Sequence, residues 1–139
     1  MDTRKIGYWA ATGLLAFAFA AGGAIDLARG EQVAGIMTHL GYPLYFAAIL
    51  GFWKVLGAVA VVAPRFPRLK EWAYAGMFFD LTGAALSHFV SGDAAATVLT
   101  PLVLLGIAAA SWALRPADRA LALPQMEGTA APVTGPRYI

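Results

Sequence analysis

Lys54 and Asp80 come first, because each interrupts a long apolar run, GFWKVLG in one case and MFFDLTGAALSHF in the other. A charge at the centre of a helix in lipid costs roughly 2.5–3.5 kcal/mol on insertion scales, so such residues face a partner, a cavity or a pathway. Lys54 lies ten residues before Pro64, and Asp80 lies ten residues after Lys70. At about 1.5 Å per residue, both sit about 15 Å from the same ends of their helices. The matched depth predicts an intramembrane Lys54–Asp80 pair between antiparallel neighbours. Transfer of the proton from Lys54 to Asp80 is the competing way to remove both charges. The pair either lines a ligand or proton site or only fixes helix register.

More polar residues extend this line. Gly76, Asp80, Ala84 and His88 recur every four positions, a small-and-polar stripe on one helix face. Thr82 and Ser87 add hydroxyls nearby, and His39 and Tyr42 lie on the side toward which His88 points. The expected binding site is a polar pocket of Lys54, Asp80, His88, Ser87, Thr82, Tyr42 and His39, open to the outer leaflet. No catalytic residue stands out, and neither a c-type haem motif, a phosphate loop nor a nucleophile elbow is present. A metal site needs three or four converging ligands, and His39, His88, Asp80 and Asp26 are spread too far in depth. A haem between histidines stays open, since sequence does not show which helices face each other. There is no cysteine, which excludes disulfides, thiol catalysis and thiolate metal sites.

These residues need a membrane scaffold. The chain of 139 residues is 60% hydrophobic and 13% charged, with a mean hydropathy of +0.66. Soluble domains are about a quarter charged, which places this chain in the membrane class. A net charge of +2 is too small to argue for nucleic acid. Four runs stand out: Ile6–Ile25, Pro43–Ala63, Trp72–Val90 and Ala94–Leu114. Each approaches the roughly 20 residues that cross a bilayer, and only helices satisfy their own backbone there. Pro64, Arg65, Phe66, Pro67, Arg68 and Lys70 end the second run; Gly92 and Asp93 close the third, with Asp93 placed to N-cap the fourth. Pro43 suits a first helical turn, and Pro101 predicts a kink. Asp2-Thr3-Arg4-Lys5 before the first run is reminiscent of a signal peptide, but the apolar stretch is too long for one and a retained helix is expected.

Between the first two runs, Val33, Ile36, Met37 and Leu40 fall at i, i+3, i+4 and i+7. That spacing predicts a short amphipathic helix on the outer surface, with a loop packed over the bundle as the alternative. Ala16, Ala20 and Ala24, and Ala47 with Gly51, are spaced for close helix approach. Eight basic residues (Arg4, Lys5, Arg65, Arg68, Lys70, Arg115, Arg119, Arg137) fall on one side and Arg29 on the other. The positive-inside rule then predicts cytoplasmic termini in an inner membrane. The expected fold is all-α: a transmembrane four-helix bundle, antiparallel and up-and-down, with a short amphipathic outer helix between helices 1 and 2. Residues 1–115 form it. Residues 116–139, rich in proline and alanine, are expected to be a flexible cytoplasmic tail unless a partner binds.

Three segments resemble the DoxX-like family of small four-helix membrane proteins. They are Leu40-Gly41-Tyr42-Pro43, Leu50 to Gly57 (LGFWKVLG) and Phe79 to Ala85 (FDLTGAA) followed by Ser87-His88. The likeness spans roughly Ile6 to Arg115. DoxX relatives include a subunit of a thiosulfate:quinone oxidoreductase and components of membrane redox-defence complexes, and more distant ones look like assembly chaperones. The resemblance therefore implies an accessory subunit of a redox-associated membrane complex. Lys54, Asp80 and His88 match the family's polar positions, although no catalytic role comes with them. The expected occupant is a quinone or a lipid, with no intrinsic cofactor. The expected partners are membrane lipids with other membrane subunits or further copies of this chain. The alternative is a non-enzymatic assembly factor or scaffold subunit.

Overall fold

The computed structural model describes residues 1–122, and all of their regular structure is helical. Five α-helices follow in order: α1 (Thr3–Ala28), α2 (Glu31–Leu40), α3 (Leu44–Val62), α4 (Pro67–Val90) and α5 (Ala95–Ala113); a single 3-10 turn, Ala117–Arg119, comes last. The four long helices pack in a ring, α1 on α3, α3 on α4, α4 on α5 and α5 on α1. Neighbours run antiparallel. Arg4 at the start of α1 reaches the Ala113 carbonyl at the end of α5, and Lys70 at the start of α4 reaches carbonyls at the end of α3. Leu15, Phe19, Ala58, Val61, Tyr74, Met77, Leu81 and Ala108 fill the centre of the ring.

The outer faces are apolar as well. Phe17, Trp53, Phe79, Phe89 and Val90 are largely exposed, a surface suited to hydrocarbon rather than water. By length and composition α1, α3 and α5 are long and apolar enough to cross a membrane. α4 has the length, 24 residues, but carries Arg68, Lys70, Glu71, Asp80 and His88 and does not reach the same hydropathy.

Several boundaries differ from expectation, each for a local reason. α1 runs past Ile25 until Arg29 takes a left-handed conformation (φ 50°), so Asp26 belongs to the helix and not to the outer loop. α2 is a helix and also packs over the bundle: Val33 and Met37 are buried against Ala47 of α3, while Ile36 stays exposed. Gly41 ends it at φ 80°, where its N–H and that of Tyr42 return to α2 carbonyls, a turn that favours glycine. Pro43 is the N-cap of α3, one residue before the helix. Ala94 rather than Asp93 caps α5, because the Asp93 carboxylate is engaged elsewhere. Pro101 sits buried inside α5. Ala20 and Ala24 face outward, and it is Gly23, on the face of Thr12, Leu15 and Phe19, that meets α3.

The expected boundary at residue 115 falls inside packed structure. Pro116 and the turn Ala117–Arg119 fold back under the ring, and Arg119 is buried there. The rest of the expected tail, from residue 123, lies outside the described residues.

Candidate functional site

The site begins with two glycines. A Cβ on Gly23 would lie 2.8 Å from the Gly51 carbonyl oxygen, and one on Gly51 would lie 2.6 Å from that of Gly23. No other residue lets α1 and α3 approach so closely. Asp26 and Lys54 each lie three residues past one of these glycines, so the crossing brings them together. The Lys54 Nζ donates to Asp26 Oδ2 at 2.8 Å and stands 3.9 Å from Asp80 Oδ2. The pair read from matched depth is therefore a triad, and its tighter half is Lys54–Asp26. Asp26 was missed because it follows the end of the first apolar run, Ile6–Ile25, and so read as lying outside the helix. The available signal was Gly23, one helical turn earlier, opposite Gly51.

Beside the triad, α3 and α4 part to leave a groove of about 830 Å³. Such a volume suits a lipid-sized or cofactor-sized molecule. Trp53, Leu56, Phe66, Leu69, Trp72 and Phe79 wall it, and among the described residues its only charged lining side chains are Lys54 and Asp80. Phe66 is placed at its mouth by the α3–α4 turn, where Arg65 (φ 65°) and Phe66 (φ 52°) both adopt left-handed backbone, a costly conformation for these residues. The groove reaches from Leu50 toward that turn. This corrects the expected opening: it faces the half of the bundle holding the chain ends, not the side of α2.

His39, Tyr42, Ser87 and His88 gather at the α2 end and do not join Lys54 and Asp80. His88 follows Asp80 by eight residues, about 12 Å along the helix. There the His88 Nδ1 donates to Asp93 Oδ2 at 2.6 Å and the His39 Nε2 to Asp93 Oδ1 at 2.7 Å. These bonds, His88 first, hold the Asp93 carboxyl below the usual carboxylate range. Tyr42 and Ser87 share a hydroxyl bond at 2.9 Å. The cluster ties α2 to the end of α4. Thr82 joins neither group, since its hydroxyl donates to the Phe78 carbonyl of its own helix. Among the described residues, no three His, Asp or Glu side chains are arranged to hold a metal ion.

A third polar assembly, at the end holding the start of α1, was not anticipated. Ser111 bonds both Thr12 and Tyr74 at 2.7 Å, all buried. Lys70, fully buried, donates to the Ala60, Val61 and Ala63 carbonyls. Arg119 donates to the Tyr8 hydroxyl and to the Val61 and Val62 carbonyls. Two cations thus occupy the last carbonyls of α3, which have no partner within the helix. Arg115 pairs with Glu71 at 2.7 Å, and Trp112 donates to the same carboxylate. Sequence counted these basic residues as flanking charges, with no sign that they turn inward.

The model of the DoxX-like family matches residues 10–111, a span that includes the glycine crossing, the triad and the groove. No curated protein and no solved structure matches the chain. The matched span covers most of the chain and the greater part of each of the four long helices, and the protein belongs to the DoxX-like family.

Proposed function

We propose that the protein is a non-catalytic accessory subunit of a redox-associated membrane complex, holding a quinone-like amphiphile in the α3–α4 groove. In this reading α4 is a fourth crossing, and both ends of the chain face the cytoplasm of an inner membrane. The charges of α4 are compatible with that placement. Arg68, Lys70 and Glu71 lie in its first turns, Asp80 meets Lys54, and His88 meets Asp93. The distribution of basic residues supports the orientation.

The observation that carries the functional reading is the groove itself: an aromatic, lipid-facing cleft with a charged group set into its wall at Lys54 and Asp80. Apolar walls with few polar groups suit a ring bearing oxygen acceptors and an isoprenoid tail. A lysine N–H near the groove offers a donor to a carbonyl oxygen. Trp53 and Trp72 line the cleft, while Trp9 and Trp112 lie outside its lining. A short-chain quinone titrated into the protein in nanodiscs should therefore quench tryptophan emission saturably. Trp53→Phe and Trp72→Phe together should remove the saturable part. Linear, non-saturating quenching in the unaltered protein would overturn the quinone reading and favour a scaffold or assembly role.

A further inference from the structure

Asp26, Lys54 and Asp80 are two carboxylates around one ammonium group, and the charges do not balance. Lys54 stands 2.8 Å from Asp26 and 3.9 Å from Asp80, so its charge is committed first to Asp26. All three side chains are mostly buried, with 17–24% of their surface exposed, and the neighbouring surface is hydrocarbon-like. Among the described residues, no other charge faces Asp80. α1 presents Asp26 and α3 presents Lys54; α5 has no acidic or basic side chain, and the next titratable group along α4 toward α2 is His88, two turns away. With both carboxylates ionised, the cluster would hold one uncompensated negative charge in a medium that penalises it by several kcal/mol per ion. A proton on one carboxyl makes the cluster neutral. Asp26 is the better-paired carboxylate, so the proton falls to Asp80, the one that lines the groove.

We infer that the Asp26–Lys54–Asp80 triad is a one-proton binding site, with the proton carried by Asp80 and presented to the groove. Asp80 then offers an O–H donor beside the Lys54 ammonium, and a carbonyl oxygen on a groove occupant can accept from it. That consequence rests on the groove reading above, but the proton itself does not, because the site needs no ligand to be loaded.

Infrared spectroscopy of the full chain in detergent at neutral pH, without quinone, counts protonated carboxyls through their C=O stretch. A carboxyl in water ordinarily titrates at about 4, so the band at neutral pH reads buried acids. One buried acid band is expected in the unaltered protein. Asp80→Asn should abolish it. Asp26→Asn should abolish it too, although Asp80 remains, because Lys54 then has a single carboxylate to pair with. Lys54→Met should roughly double it. The absence of an acid band in the unaltered protein would overturn the inference, as would a band that survives Asp26→Asn undiminished. The Asp26→Asn arm decides the matter even where Lys54→Met fails to fold. A failed quinone titration with an intact band pattern would sink the occupant and leave the proton site standing.

Discussion

Two regions of this bundle bury polar side chains, and they do so in opposite ways. At the end holding the start of α1, Lys70 and Arg119 are spent on backbone carbonyls of α3, Arg115 on Glu71, and Tyr74, Ser111 and Thr12 on one another. The donors there meet acceptors within the protein, except Arg115 Nη1, whose 2.7 Å approach to Glu71 is an ion pair without hydrogen-bond geometry. A smaller groove of about 320 Å³ borders the assembly at Glu71, Tyr74 and Trp112. At mid-bundle the triad is short of one positive charge, and one of its carboxylates lines an 830 Å³ groove. A closed network of satisfied groups stabilises a fold. A network left incomplete beside a cavity has capacity to bind something. Substitutions in each region test that difference.

Lys54→Met should have the largest effect. It leaves two carboxylates with no cation, and breaking a buried pair by removing one partner costs about 3–5 kcal/mol in soluble proteins. Thermal unfolding in detergent should show this loss. The Lys54→Met/Asp26→Asn double variant should recover more than Lys54→Met/Asp80→Asn, since Asp26 is the closer partner. Greater recovery in Lys54→Met/Asp80→Asn would mean that the proximity of Asp26 carries no weight, and the triad would collapse to the Lys54–Asp80 pair read from sequence.

Lys70→Met tests the closed network. It strips a charged donor from three carbonyls at the end of α3 in a setting with little water. Hydrogen bonds to charged groups are worth about 1.5–3 kcal/mol each, and a loss on the order of one such bond is expected. Quinone quenching, corrected for folded fraction, should not change. Loss of binding with folding intact would show that the two regions are coupled and would erase the contrast between them.

The contrast also separates what the sequence could reveal from what it could not. Helix number, the position of each long run and the mid-helix placement of Lys54 and Asp80 were legible, because apolar length and the position of a charge along it are properties of single segments. Asp26 was not legible as a partner. Its position depends on α1 continuing to Arg29 and on two glycines meeting, and neither is visible along one chain. The inward turn of Lys70, Arg115 and Arg119 was hidden for the same reason: flanking charge predicts a side of the membrane, not a hydrogen-bond partner. The expected single pocket failed on helix rise, since a stripe repeating every four residues aligns side chains without bringing them to one depth.

Gly51→Ala should have a moderate effect and a local one. The added methyl carbon would stand 2.6 Å from the Gly23 carbonyl oxygen and 2.9 Å from the Leu27 nitrogen, so α1 and α3 must separate. Overpacking of this kind costs about 1–3 kcal/mol. Separation also draws Asp26 from Lys54, and Lys54 should then turn to Asp80. The same variant should therefore shift the frequency of the acid band described above without removing it, because the proton passes from Asp80 to Asp26. Destabilisation with the band unchanged would show that the glycine crossing does not position the triad.

The smallest expected effect lies at the α2 end, a third region that is polar but exposed to water. Asp93 accepts from His88 and His39, and those bonds hold its carboxyl below the ordinary carboxylate range. A carboxyl depressed in the folded state contributes stability that is fully present above its unfolded value of about 3.9 and is lost as pH falls through the lowered folded value. The attachment of α2 should therefore hold constant from neutrality down to about pH 4 and loosen below it. Hydrogen exchange of the α2 amides, compared with those of α3, reads that attachment directly, because local opening of α2 need not unfold the ring. Asp93→Asn should lose the acid step, with α2 protection already reduced at neutral pH and flat below it. An acid step of the same size in Asp93→Asn would assign it to another group and leave the His39–Asp93–His88 bridge without a role in fastening α2.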